Sequence, residues 1–391
     1  MSKDWSDMVD TPAQASQPWT VRAPGGARNE SVRRHNLSTV LSAVHYGREV
    51  SRANLTRDTG LNRSTIGAMV AILEEAGLVT TDEPHPERSV GRPSPVIRPS
   101  NAVRALAINP DIDAVRVAVV GLGGEVLAEA SAPFASVPSP ADAAQAAARL
   151  AASLVGEEAS GLVGAGVAVP GLVDFDGGTV VNAPHLGWRD EAIAQPWSEL
   201  LGMPVHVGND ANVALLAEVH FGAARGSRDV LYLNGSTSGI GGAALVGGRL
   251  MTGARGHGGE FGHMVVRGVS DQCDCGRIGC LETQVNVRRL AGLTGAARAA
   301  ETARQAEVLG GGIANVMSAF NPELVVVGGF LAEILEQHAD AVHGAVEEQT
   351  LPPLAADVSI TRAALGDAIL ALGAAELAFG PLLADPVPAR V

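Results

Sequence analysis

Four side chains that favour soft metals fall within 18 residues of this chain: His263, Cys273, Cys275 and Cys280, in the run GHMVVRGVSDQCDCGRIGC. They include every cysteine of a 391-residue protein, so the clustering calls for a cause. Three thiolates and one imidazole complete a tetrahedral zinc shell and leave no position open for a catalytic water, which makes the expected Zn2+ structural. The short C-x-C step, with Gly276 and Gly279, lets the backbone turn tightly enough for three sulfurs to converge. Unrelated buried thiols, or a strained Cys273–Cys275 disulfide, would account for the clustering less well. The flanks suggest what such a knot positions. Glu260 and His263 lie in GGEFGH on one side, and Glu282 lies in GCLET on the other. Two carboxylates and an imidazole held close together suit a polyol. The plain alternative for Glu260 and Glu282 is a pair of solvated surface carboxylates.

The elements that must carry this cluster belong to a chain with ample apolar content, 46%, for two or three domains. Aromatics are only 3%, so small aliphatic residues must pack the cores. No basic segment followed by an apolar stretch opens the chain, and the longest uncharged run, Val230 to Gly248, holds six glycines. That run reads as a strand and a glycine loop, so no membrane partner is expected. Reduced cysteines in a metal-like cluster fit the cytoplasm.

Net charge is −14, which at first argues against nucleic acid. Its distribution argues the other way. Between Arg22 and Arg63 stand eight arginines against Glu30, Glu49 and Asp58, a basic module on an acidic body. Residues 1–30 read as a disordered tail rich in Pro, Ser and Gln. Within 31–100, Leu37, Val40, Leu41 and Val44 form one helical stripe. Ser51 can cap a second short helix through Asp58. Gly60 then breaks the chain, and Asn62 or Ser64 caps a third helix with Ile66, Val70 and Leu73 on its apolar face. Strands near Leu78–Thr80 and Val96–Ile97 flank a polar tip, giving a winged helix-turn-helix whose Gly91-Arg92-Pro93 can enter a minor groove. A solvated basic surface is the bland alternative.

From residue 101 to 391 the pattern becomes α/β. Strands RALAINP, AVRVAVVGLGGEVLAEA and SAPFA form a meander, followed by a helix from Ser139 to Leu154 and LVGAGVAVPGLVD, a buried strand ending in a Pro-Gly turn. MPVHVGND is a strand that delivers Asn209 and Asp210 to the start of a helix, where they can also serve as its N-cap. The order then repeats, with DVLYLN, the glycine loop GSTSGIGG, AALVGG, a helix around Arg304 to Ala319, PELVVVGG and VSITRA. A duplicated α/β unit with a cleft between two lobes is expected.

Taken in order, these motifs resemble the ROK family (repressors, open reading frames and sugar kinases), its regulator branch in particular. The resemblance spans about residues 31 to 380. SRANLTRDTGLNRSTIGAMVAILEEAGLV is similar to the family's winged helix-turn-helix and GRP to its wing element. PGLVD, NAPHLGW and NDAN are similar to its sugar-side motifs, GHGGEFGH with CDCGRIGCLE to its zinc signature, and NPELVVVGG to its nucleotide-side glycine motif. The resemblance implies an actin-like, ribonuclease H-like duplicated sugar-kinase fold. It also implies sugar contacts from Asn209, Asp210, Glu260, His263 and Glu282. His263 could then bind zinc through one ring nitrogen and a hydroxyl through the other.

In kinases of this family the residue matching Asp210 is the general base, so this chain retains a candidate base. Those kinases also carry a D-x-G-G-T-type phosphate loop at the first β-turn. Here the stretch runs Asn109 to Val115 without a glycine, and Asp111 and Asp113 add negative charge. The second glycine loop, Gly235 to Gly242, is spaced differently from the kinases' G-T-G-x-G. Phosphoryl transfer rests on positioning and charge neutralisation, so the expectation is a kinase-derived sensor and not an enzyme. The resemblance thus implies a transcriptional regulator of carbohydrate genes, with a sugar or sugar phosphate as effector. Arg52, Asn62, Arg63, Ser64, Thr65 and Arg92 would meet double-stranded DNA at an inverted-repeat operator, in a homodimer or homotetramer. An ATP-dependent sugar kinase bearing a DNA-binding domain is the alternative.

Overall fold

In the computed structural model, residues 29–82, 95–156, 161–174, 178–266 and 270–387 are described. The expected wing tip with Arg92, and nearly all of the expected tail, lie outside them. The first unit is built on α1 (Asn29–Gly47), whose Leu37, Val40, Leu41 and Val44 are all buried, as the helical stripe requires. A two-residue strand β1 (Val50–Ser51), not foreseen, precedes α2 (Arg52–Thr59) and α3 (Arg63–Glu75). Ser51 caps α2 by accepting from the Asn54 N–H, and Gly60 ends it in the left-handed region at φ 71°. Asn62, not Ser64, caps α3. Strands β2 (Val79–Asp82) and β3 (Val96–Pro99) pair antiparallel, and β3 also takes β1, so the sheet order is β1-β3-β2. This is a winged helix-turn-helix.

Strands β4 (Arg104–Pro110), β5 (Ala114–Gly121) and β6 (Glu125–Pro133) form the expected meander, with SAPFA absorbed into the end of β6 and the segment after it. After α4 (Pro140–Val155) comes β7 (Leu162–Val169), parallel to β4. A small sheet, β8 (Leu172–Asp174), β9 (Thr179–Ala183) and β10 (Trp188–Ala192), covers this lobe, followed by α5 (Ala194–Leu201). Strand β11 (Val205–Asn209) then joins parallel to β7 and feeds α6 (Asp210–Phe221). The second lobe repeats the scheme with the meander β12 (Val230–Ser236), β13 (Gly239–Val246) and β14 (Arg249–Leu250). Short α7 (Leu281–Gln284) and long α8 (Gly295–Phe320) follow, the latter starting nine residues before Arg304. Next come β15 (Leu324–Gly329), α9 (Phe330–Gln337), α10 (Ala339–Gln349), α11 (Pro352–Ala355), β16 (Ser359–Arg362) and α12 (Ile369–Ala384).

The two five-stranded sheets read β11-β7-β4-β5-β6 and β14-β13-β12-β15-β16. Each has a three-stranded antiparallel meander whose first strand takes two further strands in parallel on its other side. The duplication expected from element order is therefore real, and the fold is the actin-like, sugar-kinase-like one.

Helix α6 lies between the lobes. Its Val213 and Ala217 pack into a core shared by the winged helix, the first sheet and α12. Its Ala211, Ala214 and Leu215 pack on the second sheet beside Val230, Tyr232 and Ala243. The first core runs continuously from Leu37 and Ile97 to Phe379, across the boundary expected at residue 100. The segment Gly366–Ala384 is long and apolar enough to cross a bilayer, but half of its apolar window is buried in this core.

Candidate functional site

The cysteine knot forms as the spacing requires. Gly276 and Gly279 turn at φ 85° and 83°, where only glycine is unstrained. The Gly276 N–H donates to the Cys273 carbonyl, and a bridge pairs Val265 with Cys280. Cys273 Sγ lies 3.6 Å from His263 Nδ1, Cys275 Sγ lies 3.7 Å from Cys280 Sγ, and all four donor atoms fall within 4.8 Å of one another. Donors bound to one zinc at about 2.0–2.3 Å stand about 3.5–3.8 Å apart in a tetrahedron, so the set matches in chemistry and in two of its edges. Among the described residues this is the one group of histidine, cysteine and acidic side chains arranged to hold a metal.

Glu282 is held against that knot. Its Oε1 lies 3.2 Å from His263 Nδ1 and accepts from Cys273 Sγ at 2.8 Å, while Oε2 accepts from the Ile240 N–H at 3.3 Å. His263 Nε2 turns the other way, 3.8 Å from Glu260 Oε2. The ring therefore turns Nδ1 to the cysteine set and Nε2 towards Glu260. Glu260 sits just before a one-turn 3-10 segment, Phe261–His263.

The glycines after β12 do not form the loop read from the sequence. Gly235 pairs with Ile240, Asn234 with Gly241 and Leu233 with Gly242, leaving only Thr237 and Ser238 at a hairpin turn. These glycines serve close packing. A Cβ on Gly239 would lie 2.4 Å from Glu282 Oε2, one on Gly241 3.2 Å from the Ala211 Cβ, and one on Gly242 2.5 Å from the Phe261 ring. Strand β13 is thus a floor on which α6, the Phe261 turn and Glu282 all settle.

From the first lobe, Asn209 and Asp210 stand at the start of α6, with Asp210 within electrostatic reach of Glu260. Asn209 does cap α6, accepting from the Asn212 N–H at 2.9 Å, and its Nδ2 donates to the Gly171 carbonyl at 3.0 Å. Asp210 Oδ1 accepts from the Ala211 N–H at 2.8 Å. Burial, opposed by the Ala211 N–H bond and reinforced by the charges of Glu260 and Asp111, pushes the Asp210 carboxyl up to about 7. A carboxyl whose proton is held more tightly in the folded state costs stability as pH rises from its unfolded value of 3.8 towards 7. Asp210→Asn should therefore gain stability over the parent across that window, by up to about 4 kcal/mol at pH 8, and not below pH 4. Denaturant unfolding of both proteins from pH 4 to 8 checks this. A difference that does not vary with pH would sink it.

The turn between β4 and β5 is closed by the Asp111 N–H donating to the Ala114 carbonyl at 2.9 Å. It holds no glycine, as read. Its charge differs from the expectation, since Arg116 lies 3.7 Å from Asp111 and 3.6 Å from Asp113 and offsets both acids.

On the winged helix, Arg63 and Ser64 are exposed at the start of α3, opposite its buried Ile66, Met69, Val70 and Leu73. Asn62 Oδ1 already accepts from the Thr65 N–H and from Ser64 Oγ, at 2.9 and 2.6 Å, so these three residues shape the helix end before they meet any ligand. Arg52 opens α2 with a buried Nε that has no hydrogen-bond partner among the described residues. Two histidines near the cleft had no sequence signal beyond lying inside motifs. His185 stands 3.9 Å from where a Gly239 Cβ would be. His257 lies within electrostatic reach of Glu260, with its Nε2 buried and without a hydrogen-bond partner among the described residues.

A sequence profile of the ROK family matches residues 106–380. The chain belongs to the ROK family. The xylose repressor of Bacillus subtilis is 25% identical over 367 residues, covering 88% of this chain and 94% of its own. A glucokinase of Streptomyces coelicolor is 30% identical over 328 residues, which takes in 99% of the glucokinase but 72% of this chain. Among solved structures, a ROK family transcriptional regulator, a homologue of the Escherichia coli MLC protein, superposes with a TM-score of 0.72 at 22% identity over 90% of this chain and 98% of its own. A ROK glucokinase from Streptomyces griseus, in complex with glucose and AMPPNP, superposes at 0.62 with 24% identity over 70% of this chain and 98% of its own. The winged helix ahead of the ROK domain places the chain in the family's regulator branch.

Proposed function

We propose that this ROK protein is a DNA-binding transcriptional repressor of carbohydrate genes whose kinase-derived half senses a sugar. One observation carries the reading. A winged helix-turn-helix precedes the ROK domain in a single chain, and xylose repressors match that chain nearly end to end. The glucokinase of Streptomyces coelicolor covers 72% of it. The sugar would lie between Asn209 and Asp210 on one side and Glu260, His263 and Glu282 on the other. A structural Zn2+ on His263, Cys273, Cys275 and Cys280 would hold the second set in place. The glycine-free β4–β5 turn supports a sensor without phosphoryl transfer, because backbone amides there cannot close on phosphates past side chains. Asp210 then survives as a hydroxyl acceptor. The protein would act in the cytoplasm as a homodimer or homotetramer on an inverted repeat, because two-fold protein symmetry reads matching half-sites.

The sugar acts as a population shift, stabilising a closed cleft in which the paired winged helices no longer fit both half-sites. It can do so only by its differential affinity for the two forms, about 1–3 kcal/mol of coupling. The test is operator binding with and without monosaccharides, D-xylose first, alongside a coupled assay for ATP-dependent sugar phosphorylation. Affinity for DNA should fall on adding the effector sugar, and turnover should be absent. Arg63→Ala should lower operator affinity about 10- to 100-fold, since a base-reading arginine contributes about 1–3 kcal/mol. Phosphorylation at about 1 s⁻¹ or faster would place the chain among ordinary enzymes.

A further inference from the structure

Helix α6 begins at the proposed sugar site and ends against the DNA-binding unit. Asn209 and Asp210 stand at its first turn, and its 12 residues span about 18 Å at 1.5 Å each. At the far end His220 stacks flat on Tyr46 of α1, with ring centroids 4.0 Å apart and planes 11° from parallel. Phe221 packs edge-on to His45, centroids 5.6 Å apart, and lies under the Arg48 guanidinium at 5.4 Å. Arg48 also donates to the carbonyls of Gly123 and Gly124, both at 3.0 Å, in the β5–β6 turn. Arg48 itself sits in the left-handed region, φ 60°, at the residue where α1 gives way to β1 and the recognition helices. A non-glycine residue holds that conformation only when its surroundings impose it.

Both lobes meet the same end of the helix. Glu218, fully buried, accepts from the Ala223 N–H at 2.6 Å and from the Leu365 N–H at 3.0 Å, and Leu365 lies on the chain returning from the second lobe. Beside it His45 Nε2 meets Glu376 of α12 at 2.8 Å, and His45 Nδ1 accepts from the Gly123 N–H at 2.9 Å. Because α6 is wedged between two sheets and packed on all sides, a change in lobe spacing must slide or tilt it as a unit; close-packed interiors do not absorb such movement gradually.

We infer that α6 is the element that carries sugar occupancy to the winged helix, and that Tyr46 and Arg48 are the residues that receive it, through His220 and Phe221. The inference rests on the sugar-sensor reading and names how that site is coupled to DNA. None of these four side chains belongs to the proposed sugar or DNA contacts, so their loss should separate the two bindings without abolishing either.

The experiment uses the full chain, an operator fragment and D-xylose, with D-glucose as the second probe. The variants are Arg48→Asn, chosen because asparagine tolerates the left-handed conformation, and His220→Ala. Wild-type protein should lose operator affinity about 5- to 150-fold at saturating sugar. In both variants that factor should fall below about threefold, while sugar affinity measured calorimetrically without DNA, and operator affinity without sugar, stay near wild type. Variants that respond as wild type does would overturn the α6 route and leave the sensor reading standing. A wild-type protein whose operator affinity ignores both sugars would overturn the sensor reading and this inference with it. Hydrogen exchange on the unaltered chain gives a reading independent of variant folding. On adding sugar, peptides covering residues 44–50 and 218–224 should change protection together; a response confined to the cleft would overturn the route.

Discussion

Replacing Cys280 by serine should strip the metal from the knot and destabilise the second lobe by about 4 kcal/mol or more, in the range reserved for lost metals and core cavities. The reason is in the geometry. Cys280 is fully buried, bridges to Val265, and stands at the N-cap of α7, the helix that carries Glu282. Without the ion nothing joins all four donors, which crowd within 4.8 Å, since Glu282 reaches only His263 and Cys273. Ligation energy at such a site is partly folding energy, so its loss appears as instability and not only as lost zinc. Wild-type protein should carry about one zinc per chain by elemental analysis, and Cys275→Ser, at an exposed position, should lose it too. Purified protein that is folded and free of zinc would refute the assignment.

What the sequence showed plainly was whatever depends on local order. The α1 stripe, the Ser51 cap, the Gly60 stop and the cysteine spacing all follow from periodicity and side-chain chemistry within a few residues, and all recur in the structure. What it hid depends on partners far along the chain. The glycines at 235 to 242 look the same whether they loosen a loop or admit neighbours, and only the approach of Glu282, Ala211 and Phe261 decides for the second. The small sheet β8-β9-β10 has short, mixed strands with no clear alternation, so it gave no signal. Helix α8 begins at Gly295, but its buried residues begin only at Thr302, which is why its first turns went unread. Helix α6 was legible as a helix. Its position between two sheets was not, because a helix buried on every side has no amphipathic face to declare its neighbours.

Glu282→Ala should abolish the sugar response while leaving operator affinity intact. This carboxylate stands where the knot, β13 and the cleft meet, and it accepts from Ile240 while lying beside His263 and Cys273. Its position is set by the Ile240 N–H bond, because a zinc-bound Cys273 thiolate and His263 Nδ1 have no proton to donate, and that bond leaves it preorganised to take hydroxyls at little ordering cost of its own. Each charge-assisted hydrogen bond it makes to a sugar contributes about 1.5–3 kcal/mol, so losing two should weaken binding roughly 100-fold or more. Alanine also leaves the Ile240 N–H without its acceptor, a structural cost that must be told apart from lost recognition. Glu282→Gln separates them, since glutamine keeps an acceptor for Ile240 and a bond to hydroxyls but gives up the charge. Its sugar affinity should fall between those of parent and alanine, with zinc content and operator affinity unchanged in both. Should Glu282→Ala bind D-xylose as the parent does, with the parent responding, the sugar does not sit against the knot. Should it lose zinc and DNA binding together, Glu282 is a structural support and the cleft reading loses its central residue.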